Sequence, residues 1–243
     1  MPAIITLLGI LISSSVAFYF ILTRNAFYKH KISSFGSITG IASMRGRRST
    51  MEDDHFSGEF KHGEQSIFVA GVLDGHGGIS TAKFVSGRFV QEFKKELSNC
   101  NSIKEALSST FHNLDERFLE IARKRKLRDG TTLLVSVVAE KTLYIANTGD
   151  SRAVLVKKGG ASEPLSNDHK AGKFDEFKRI SSLGGRVSYS FGTWRIEGKL
   201  AVSRALGDIE FKKYAICDPE IKSIDLKKGF RVIKRGLVFD SRH

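Results

Sequence analysis

Acidic, glycine and histidine residues occur together in the segment Asp74-Gly75-His76-Gly77-Gly78. The preceding residues 67–73 are apolar and partly β-branched, which predicts a buried strand, and glycines after a strand let a ligand approach the backbone. Asp74 would then project from a rigid element. Carboxylate oxygens bind hard divalent ions, and water bound to such an ion becomes a nucleophile near neutral pH. The segment predicts metal-assisted hydrolysis; a glycine turn that only closes the strand is the competing interpretation.

Helices and strands that would hold this segment in place are predicted after it. Apolar residues recur at steps of three and four over 82–97 and over 103–121, which is typical of amphipathic helices. A third helix is predicted over 174–183, where Gly184-Gly185 supplies a left-handed cap. A tight turn at Glu140-Lys141 separates two β-rich stretches. The predicted strands are 131–139, 142–146 and 152–156.

The composition of the 243-residue chain suits a globular domain with a sizeable core, because 41% of its residues are hydrophobic and only 3 are proline. Its formal charge is +13, partly in clusters such as Arg123-Lys124-Arg125-Lys126. No nucleic-acid recognition motif accompanies these clusters, so we expect no nucleic-acid partner. A solvated helix face or attraction to anionic lipid explains them better. Cys100 and Cys217 form no disulfide framework, which favours a reducing compartment.

The amino-terminal residues 4–22 form a stretch of 19 residues without a charge, long enough for a helix to cross a bilayer. A cleavable signal peptide is the competing interpretation, but no basic residue precedes the stretch and no clean cleavage site follows it. Basic residues do follow it, so the positive-inside bias places the rest of the chain in the cytosol. We predict a single-pass anchor and linker over 1–35, linker residues around 32–41 leading into the first strand, and a domain over 36–243.

Six motifs occur in one order along the chain, and the ordered set is more specific than any single motif. They are Arg48-Ser49-Thr50-Met51-Glu52-Asp53-Asp54-His55, Asp74-Gly75-His76-Gly77-Gly78, Asp129-Gly130-Thr131-Thr132, Asn147-Thr148-Gly149-Asp150-Ser151-Arg152, Asp168-His169-Lys170 and Leu200-Ala201-Val202-Ser203-Arg204-Ala205-Leu206-Gly207-Asp208. Over residues 38–225 the chain resembles the metal-dependent serine/threonine protein phosphatases of type 2C, most of all their membrane-anchored, L-like members. The resemblance implies an α+β fold, a four-layer α-β-β-α sandwich, preceded here by one transmembrane helix.

The resemblance also implies cofactors and site residues. Two Mn²⁺ or Mg²⁺ ions would lie at one end of the sandwich and activate a water for attack on phosphorus. Asp74 would bridge the ions and the carbonyl of Gly75 would bind one of them. Glu52 and Asp53 would hold them directly or through water. Arg48 would bind the phosphate, since its planar guanidinium pairs with phosphate oxygens; a surface arginine is the alternative.

Further roles follow from the same resemblance. His76 would be the general acid that protonates the departing serine or threonine oxygen, because its side chain titrates near operating pH; a histidine that only orients its neighbours is the alternative. Asp150 would help to bind a third, weaker metal ion, and a turn residue is the alternative there. A supporting polar network is expected from Asp168, His169, Ser203, Arg204 and Asp208.

The family pattern continues beyond what this sequence contains. Residues 230–233 fit the strand that precedes a metal-binding Asp-Gly motif, but Gly236 occupies the position of that motif's first Asp, and a later Asp-Asn pair has no counterpart. We therefore expect a carboxyl-terminally truncated, incomplete sandwich. Its activity is expected to be at least about a hundredfold below that of a longer form, on the scale of several kcal/mol of lost metal-based stabilisation.

Two functions from different classes fit these observations. The first is metal-dependent hydrolysis of phosphoserine and phosphothreonine in cytosolic proteins near a membrane. The second is a catalytically impaired short form that binds phosphoproteins or other partners without turnover. The residues from Arg48 to His76 favour the first function, and the missing carboxyl-terminal aspartates favour the second.

Overall fold

The structure, a computed structural model, describes residues 27–32, 37–43, 45, 48–157, 161–226 and 230–235. Its helices are α1 Ser80–Ser86, α2 Phe89–Asn99, α3 Ile103–Arg125 and α4 Phe174–Ser182. Its strands are β1 Phe27–Ile32, β2 Ser37–Ala42, β3 Asp54–His62, β4 Gln65–Leu73, β5 Gly75–His76, β6 Gly130–Thr131, β7 Leu133–Ala139, β8 Thr142–Thr148, β9 Arg152–Lys157, β10 Ser162–Pro164, β11 Val187–Ser190, β12 Thr193–Ile196, β13 Leu206–Gly207, β14 Glu220–Asp225 and β15 Phe230–Arg235.

A five-stranded antiparallel sheet in the order β14-β8-β7-β4-β3 forms the centre of the fold. A three-stranded sheet in the order β10-β9-β15 and a smaller sheet, β13-β6-β5, accompany it. Two antiparallel hairpins, β1-β2 and β11-β12, complete the strand pairing in the described residues. Every strand pair within these sheets is antiparallel, which agrees with a fold of the α+β class.

The central sheet is apolar on both faces, because successive side chains of a strand point to opposite sides. One face packs on the helices: Ile67 and Val69 of β4 join Phe89 of α2 and Phe111 of α3 in one buried cluster. The ring of Phe89 stacks on Phe56 with centroids 4.7 Å apart and meets Phe111 edge-on at 5.8 Å. These contacts fix the helices over the sheet.

The opposite face of the central sheet packs on the three-stranded sheet. Leu134, Leu143 and Ile145 from β7 and β8 form a second buried cluster with Ala153 and Leu155 of β9. Helix α4 packs in a third cluster instead. The described residues therefore contain three of the four predicted layers, a helical layer and two sheets.

Most predicted elements are confirmed. The strand over 67–73 lies within β4, the helix over 103–121 lies within α3, and the helix over 174–183 is α4. Gly184 has a φ of +82°, and its N–H donates to the carbonyl of Ser181 at 2.9 Å, as expected for a left-handed cap. The hairpin around Glu140-Lys141 joins β7 to β8.

The single helix predicted over 82–97 is wrong, because α1 and α2 are separate helices. The chain leaves the helical path at Gly87 and Arg88, where the Arg88 N–H donates to the carbonyl of Val85 at 3.1 Å instead of continuing the regular ladder. Glycine is a poor helix former. The break does not change the apolar spacing, because Val85 and Phe89 are still four residues apart and both are buried.

Two predictions fall at the amino-terminal end. Part of the segment predicted as a linker around 32–41 lies in strands, since β1 and β2 pair from Phe27↔Ala42 to Ile32↔Ser37. The predicted anchor at 4–22 lies outside the described residues. Among the described helices, none has both the length and the apolar character that crossing a membrane requires.

Glu176 fastens α4 to the rest of the fold. Its carboxylate is 1% exposed and accepts hydrogen bonds from Arg179 at 2.7 Å and from Arg204 at 2.6 Å and 2.9 Å. Burial opposes its ionised form, but the hydrogen bonds from the two guanidinium groups outweigh burial and lower the pKa of Glu176 to about 2. Arg179 also donates to the carbonyls of Ser203 and Tyr214. The ionised carboxylate thus holds α4 against the segment that contains Arg204.

We predict that Glu176→Gln lowers the free energy of unfolding at pH 7 by about 3 kcal/mol, because it leaves partly buried guanidinium groups without a counter-charge. Since the folded-state pKa is depressed, the stabilisation is complete above the ordinary pKa near 4.5 and is lost as the pH falls toward 2. Urea denaturation at pH 7, 4.5 and 3 measures both effects. Glu120→Gln, an exposed change on α3, is the matched control. An unchanged acid slope in Glu176→Gln would contradict the prediction.

Candidate active site

The predicted site residues converge because of the strand register of the central sheet. Asp54 of β3 pairs with Leu73 of β4, and Leu133 of β7 pairs with Thr148 of β8. Residues just outside these pairs therefore lie at one end of the sheet, although they are far apart in the sequence. Asp53, Asp74, Thr132 and Asp150 are the residues placed there.

The backbone of Asp74 is fixed on both sides by Thr132. The Asp74 N–H donates to Thr132 Oγ1 at 3.1 Å, and the Thr132 N–H donates to the Asp74 carbonyl at 3.0 Å. The Thr132 hydroxyl also lies 2.8 Å from that of Ser151, which precedes β9. The predicted strand 131–139 is interrupted at Thr132, where the backbone bonds to Asp74 instead. The Asp74 carboxylate takes no part in these bonds and can interact with its charged neighbours.

Gly75 allows the chain segment with Glu52 to approach. A Cβ atom at position 75 would lie 2.3 Å from the Glu52 carbonyl oxygen, which is closer than atoms can pack. Only glycine permits this contact. The contact carries Glu52 and Asp53 to the end of β4, beside Asp74.

Negative charge is concentrated around Asp74. Burial raises the pKa of Asp74 to about 7, and the nearby carboxylates of Asp53 and Asp150 add to the increase, while His76 and Arg48 oppose it. Burial likewise raises the pKa of Asp53, and the charge of Glu52 adds to the increase, while the charge of Arg48 and the Asp74 side chain oppose it. Six predicted site residues are therefore close enough to be linked through their charges: Arg48, Glu52, Asp53, Asp74, His76 and Asp150.

The donor set fits a hard divalent cation in its chemistry. All its side-chain donors are carboxylate oxygens, the type that Mg²⁺ and Mn²⁺ prefer, and a cation would relieve the repulsion that raises the pKa of Asp74. The set is not assembled as a ready cage, however. Within the described ranges, no three His, Cys, Asp or Glu side chains are grouped so that they could hold a metal ion. The Asp150 carboxylate instead lies 3.0 Å from the Lys170 ammonium.

His76 is held by Asp208, which the sequence placed only in a supporting network. The Nε2 atom of His76 lies 2.8 Å and 2.9 Å from the two carboxylate oxygens of Asp208, which is 3% exposed. Burial disfavours the charged imidazole, but the hydrogen bond and charge of Asp208, with the charges of Asp74 and Asp150, outweigh it and raise the pKa of His76. With Nε2 engaged, Nδ1 is the ring atom left for proton exchange.

Gly130 creates the space that this pair needs. A Cβ atom at position 130 would lie 2.3 Å from an Asp208 carboxylate oxygen. Asp208 itself has a φ of +49°, an unusual conformation for a residue other than glycine, and its N–H donates to the Asp129 carbonyl at 3.1 Å. Backbone strain of this kind is often found at functional sites.

Asp129 is a second residue whose part the sequence did not reveal. Its carboxylate is 3% exposed and accepts hydrogen bonds from the N–H of Thr81 at 2.6 Å and from the Thr81 hydroxyl at 3.0 Å. It therefore fixes the start of α1 relative to β6. Both Asp129 and Asp208 belong to recognised motifs, but the partners that they contact are remote in the sequence.

The other residues expected to support the site form contacts beside it. Asp168 makes a two-point ion pair with Arg152 at 2.8 Å and 2.7 Å. His169 accepts a hydrogen bond on Nδ1 from the N–H of Gly149 at 3.2 Å, and its carbonyl accepts one from the N–H of Ser203. These bonds hold the turn that carries Asp150.

We predict that Asp208→Asn lowers the pKa of His76, because the substitution keeps the side-chain size but removes the charge that offsets burial. NMR titration of the histidine ring protons in the metal-free protein measures this pKa, and His76→Gln identifies the resonance. Asp225→Asn removes an exposed carboxylate at the end of β14 and should leave it unchanged. The same His76 pKa in Asp208→Asn and in the unaltered protein would refute the pairing.

Comparison with known proteins places this arrangement in a family. The sequence model described as Protein phosphatase 2C matches residues 39–232. The chain is 38% identical over 203 residues to probable protein phosphatase 2C 52 of Oryza sativa, covering 83% of this chain and 41% of that protein. It is also 38% identical over 192 residues to probable protein phosphatase 2C 76 of Arabidopsis thaliana, covering 79% and 45%. The chain thus spans less than half the length of these relatives.

Solved structures show the same fold. A C. elegans sex determining protein superposes with a TM-score of 0.70 at 23% identity, covering 76% of this chain and 47% of that one. Serine-threonine phosphatase 2C from Toxoplasma gondii superposes with a TM-score of 0.63 at 20% identity, covering 75% and 76%. With the family match extending over most of the sequence, the chain belongs to the protein phosphatase 2C family.

Proposed function

We propose that this chain carries the catalytic site of a metal-dependent phosphatase that hydrolyses phosphoserine and phosphothreonine in proteins. The observation that carries the proposal is the half-buried group of carboxylates around Asp74, with the cations of Arg48 and His76 on the same site. An excess of negative charge that is partly withdrawn from water has no structural benefit by itself. This excess of negative charge suits a site that binds metal cations and, through them, a phosphate.

Arg48 is assigned to the phosphate. It is exposed, and its positive charge still reaches the carboxyl groups of Asp53 and Asp74. A guanidinium at the rim of an acidic site can pair with two phosphate oxygens at once and draw the dianion toward the metal-binding carboxylates.

Asp74, Glu52, Asp53 and the carbonyl of Gly75 would hold two Mn²⁺ or Mg²⁺ ions, and Asp150 would help to hold a third. When bound, such ions offset the charge of the phosphate and lower the pKa of water so that it can attack phosphorus. The chain's own part is to orient these oxygens. It does so through the Thr132 bonds to Asp74 and the contact of Gly75 with Glu52.

His76 is assigned to the leaving group. When the phosphorus–oxygen bond breaks, the serine or threonine oxygen takes the electron pair and needs a proton, which Nδ1 of the imidazolium can donate. Asp208 holds Nε2 and raises the pKa of His76, so the ring is protonated over a wider pH range. The imidazole regains its proton from water after product release.

We predict that Asp74→Ala reduces Mn²⁺-dependent turnover of a phosphothreonine peptide by at least about a thousandfold, and that chelator does the same to the unaltered chain. His76→Gln should slow the peptide by about a hundredfold or more but an aryl phosphate much less, because an aryl oxide leaves without a proton. Arg48→Ala should mainly raise KM. Asp225→Asn is the control. Asp74→Ala turnover equal to that of the unaltered chain would rule out the assignment.

A second candidate function is binding of phosphoproteins without turnover. It is favoured by the pairing of Asp150 with Lys170 and by the lack of a ready three-ligand group in the described residues. Isothermal titration calorimetry separates the two. The phosphatase requires Mn²⁺ binding that Asp74→Ala weakens, whereas the binding module takes up the phosphopeptide without Mn²⁺ and releases it intact.

We propose further that residues 4–22 form an uncleaved membrane helix and that the domain faces the cytosol, as in membrane-anchored, L-like members of the family. Support comes from the 19 uncharged residues and from the basic residues Arg24, Lys29 and Lys31 that follow them. The membrane would be one partner and phosphorylated proteins the other.

This topology predicts that protease added to sealed microsomes digests the domain, while the membrane fraction retains a short amino-terminal fragment. An epitope tag at the carboxyl terminus reports the digestion, and detergent-opened microsomes give the control in which nothing is protected. A fully protected domain that has lost its first residues would show a secreted protein and would exclude the anchor.

A further inference from the structure

Large exposed hydrophobic side chains are concentrated in one segment of the described chain. Apart from Ile79, every one of them lies between residues 174 and 194. We call the five aromatic members the aromatic surface: Phe174, Phe177, Tyr189, Phe191 and Trp194, which are 83%, 40%, 62%, 93% and 44% exposed. Single exposed hydrophobic residues need no explanation, but a contiguous group indicates a site of interaction.

The aromatic surface is held in a fixed shape. Tyr189 and Trp194 are paired across the β11-β12 hairpin with ring centroids 5.6 Å apart, and Phe177 of α4 meets Trp194 edge-on at 6.4 Å. A Cβ atom on Gly172 would lie 2.3 Å from the Trp194 ring, so the indole rests directly on the backbone. The helix and the hairpin thus present their rings as one surface.

Phe191 at the tip of the hairpin gains little from folding, since its ring faces the Arg195 guanidinium at a distance of 6.0 Å from the ring centroid. Phe191 and Gly192 form the two-residue turn, with φ values of +50° and +77°. Such turns favour Asn-Gly, and a bulky residue is strained in this conformation. The ring is also 93% exposed to water. Both its backbone conformation and its exposure are unfavourable, which points to a role outside the folded chain.

Positive charge surrounds the aromatic surface. Helix α4 turns Phe174, Phe177 and Lys178 outward and buries Glu176 and Ile180 on its other side. Exposed basic residues lie next to the rings on α4 and at the base of the hairpin. Among the acidic residues of the segment 170–199, Asp175 on α4 is exposed, Glu197 is half-buried and Glu176 is buried. These basic residues are Lys173, Lys178, Arg186 and Lys199.

We propose that the aromatic surface docks on an anionic lipid membrane, with the hairpin tip in the interface and the basic residues against the headgroups. Tyrosine and tryptophan prefer the membrane interface, and clustered lysine and arginine are attracted to anionic lipid. The charge of the surface matches a negative leaflet. This docking is independent of both the phosphatase assignment and the amino-terminal anchor, because it uses neither the carboxylates nor residues 4–22.

The test uses Trp194, which is the only tryptophan in the chain. The full chain is mixed with or reconstituted into vesicles of phosphatidylcholine alone or with 30 mole per cent phosphatidylserine, on the order of physiological anionic content. We expect blue-shifted Trp194 emission, and quenching by headgroup-labelled lipid, only with phosphatidylserine. Trp194 emission and quenching report whether the aromatic surface lies at the membrane, whether or not another segment of the chain is inserted.

Variants separate docking from misfolding. Phe191→Asn suits the turn and should reduce the quenching. Lys178→Glu with Lys199→Glu should weaken the affinity for phosphatidylserine vesicles by about tenfold or more. Lys61→Glu with Lys104→Glu makes the same charge change at exposed sites on β3 and α3 and should have no effect. Trp194 emission in vesicle-free samples confirms that each variant is folded.

Three results would overturn the proposal. The first is unquenched Trp194 in phosphatidylserine vesicles. The second is a blue shift that depends on protein concentration without lipid, which would mean that a second copy covers the surface. The third is an equal shift with an acidic phosphothreonine peptide and none with vesicles, which would assign the surface to protein substrates.

Discussion

The repulsion among the half-buried carboxylates around Asp74 is the constraint on which the rest of the site depends. Three like charges at one sheet end would spread apart unless the backbone held them and cations offset them. Thr132 fixes Asp74 from both sides, and Gly75 brings the Glu52 segment into contact. Lys170 pairs with Asp150, and the charge of Arg48 acts on Asp53 and Asp74. Each of these contacts either holds a carboxylate in position or offsets its charge.

The two-sided core of the central sheet makes this possible. Because β4 and β7 pack on both faces, their ends cannot shift without disturbing the packing of the helices on one side and of the second sheet on the other. Charged groups at a sheet end are therefore held by apolar contacts several residues away. The stacked rings of Phe56 and Phe89 belong to the same support as Asp74.

Local patterns in the sequence were sufficient for β4, α3 and α4, since an apolar period of two or of 3.6 residues is set by the faces that each element buries. The break at Gly87 was hidden because Val85 and Phe89 keep helical spacing across it. The pair of His76 and Asp208 could not be read either, because 132 residues separate them and only the folded chain defines their distance. Motif order grouped the correct segments, but it gave no contacts between their side chains.

The contact between Gly75 and Glu52 limits which residue can occupy position 75, and the functional groups of the site alone would not suggest this limit. Adding one methyl group at position 75 would remove no charged group and no metal ligand, yet it would push the Glu52 carbonyl out of its place. The carboxylate of Asp53 would move with that backbone. A chain carrying such a change would keep every acidic side chain and lose the spacing between them, so an inventory of its functional groups would not reveal the defect.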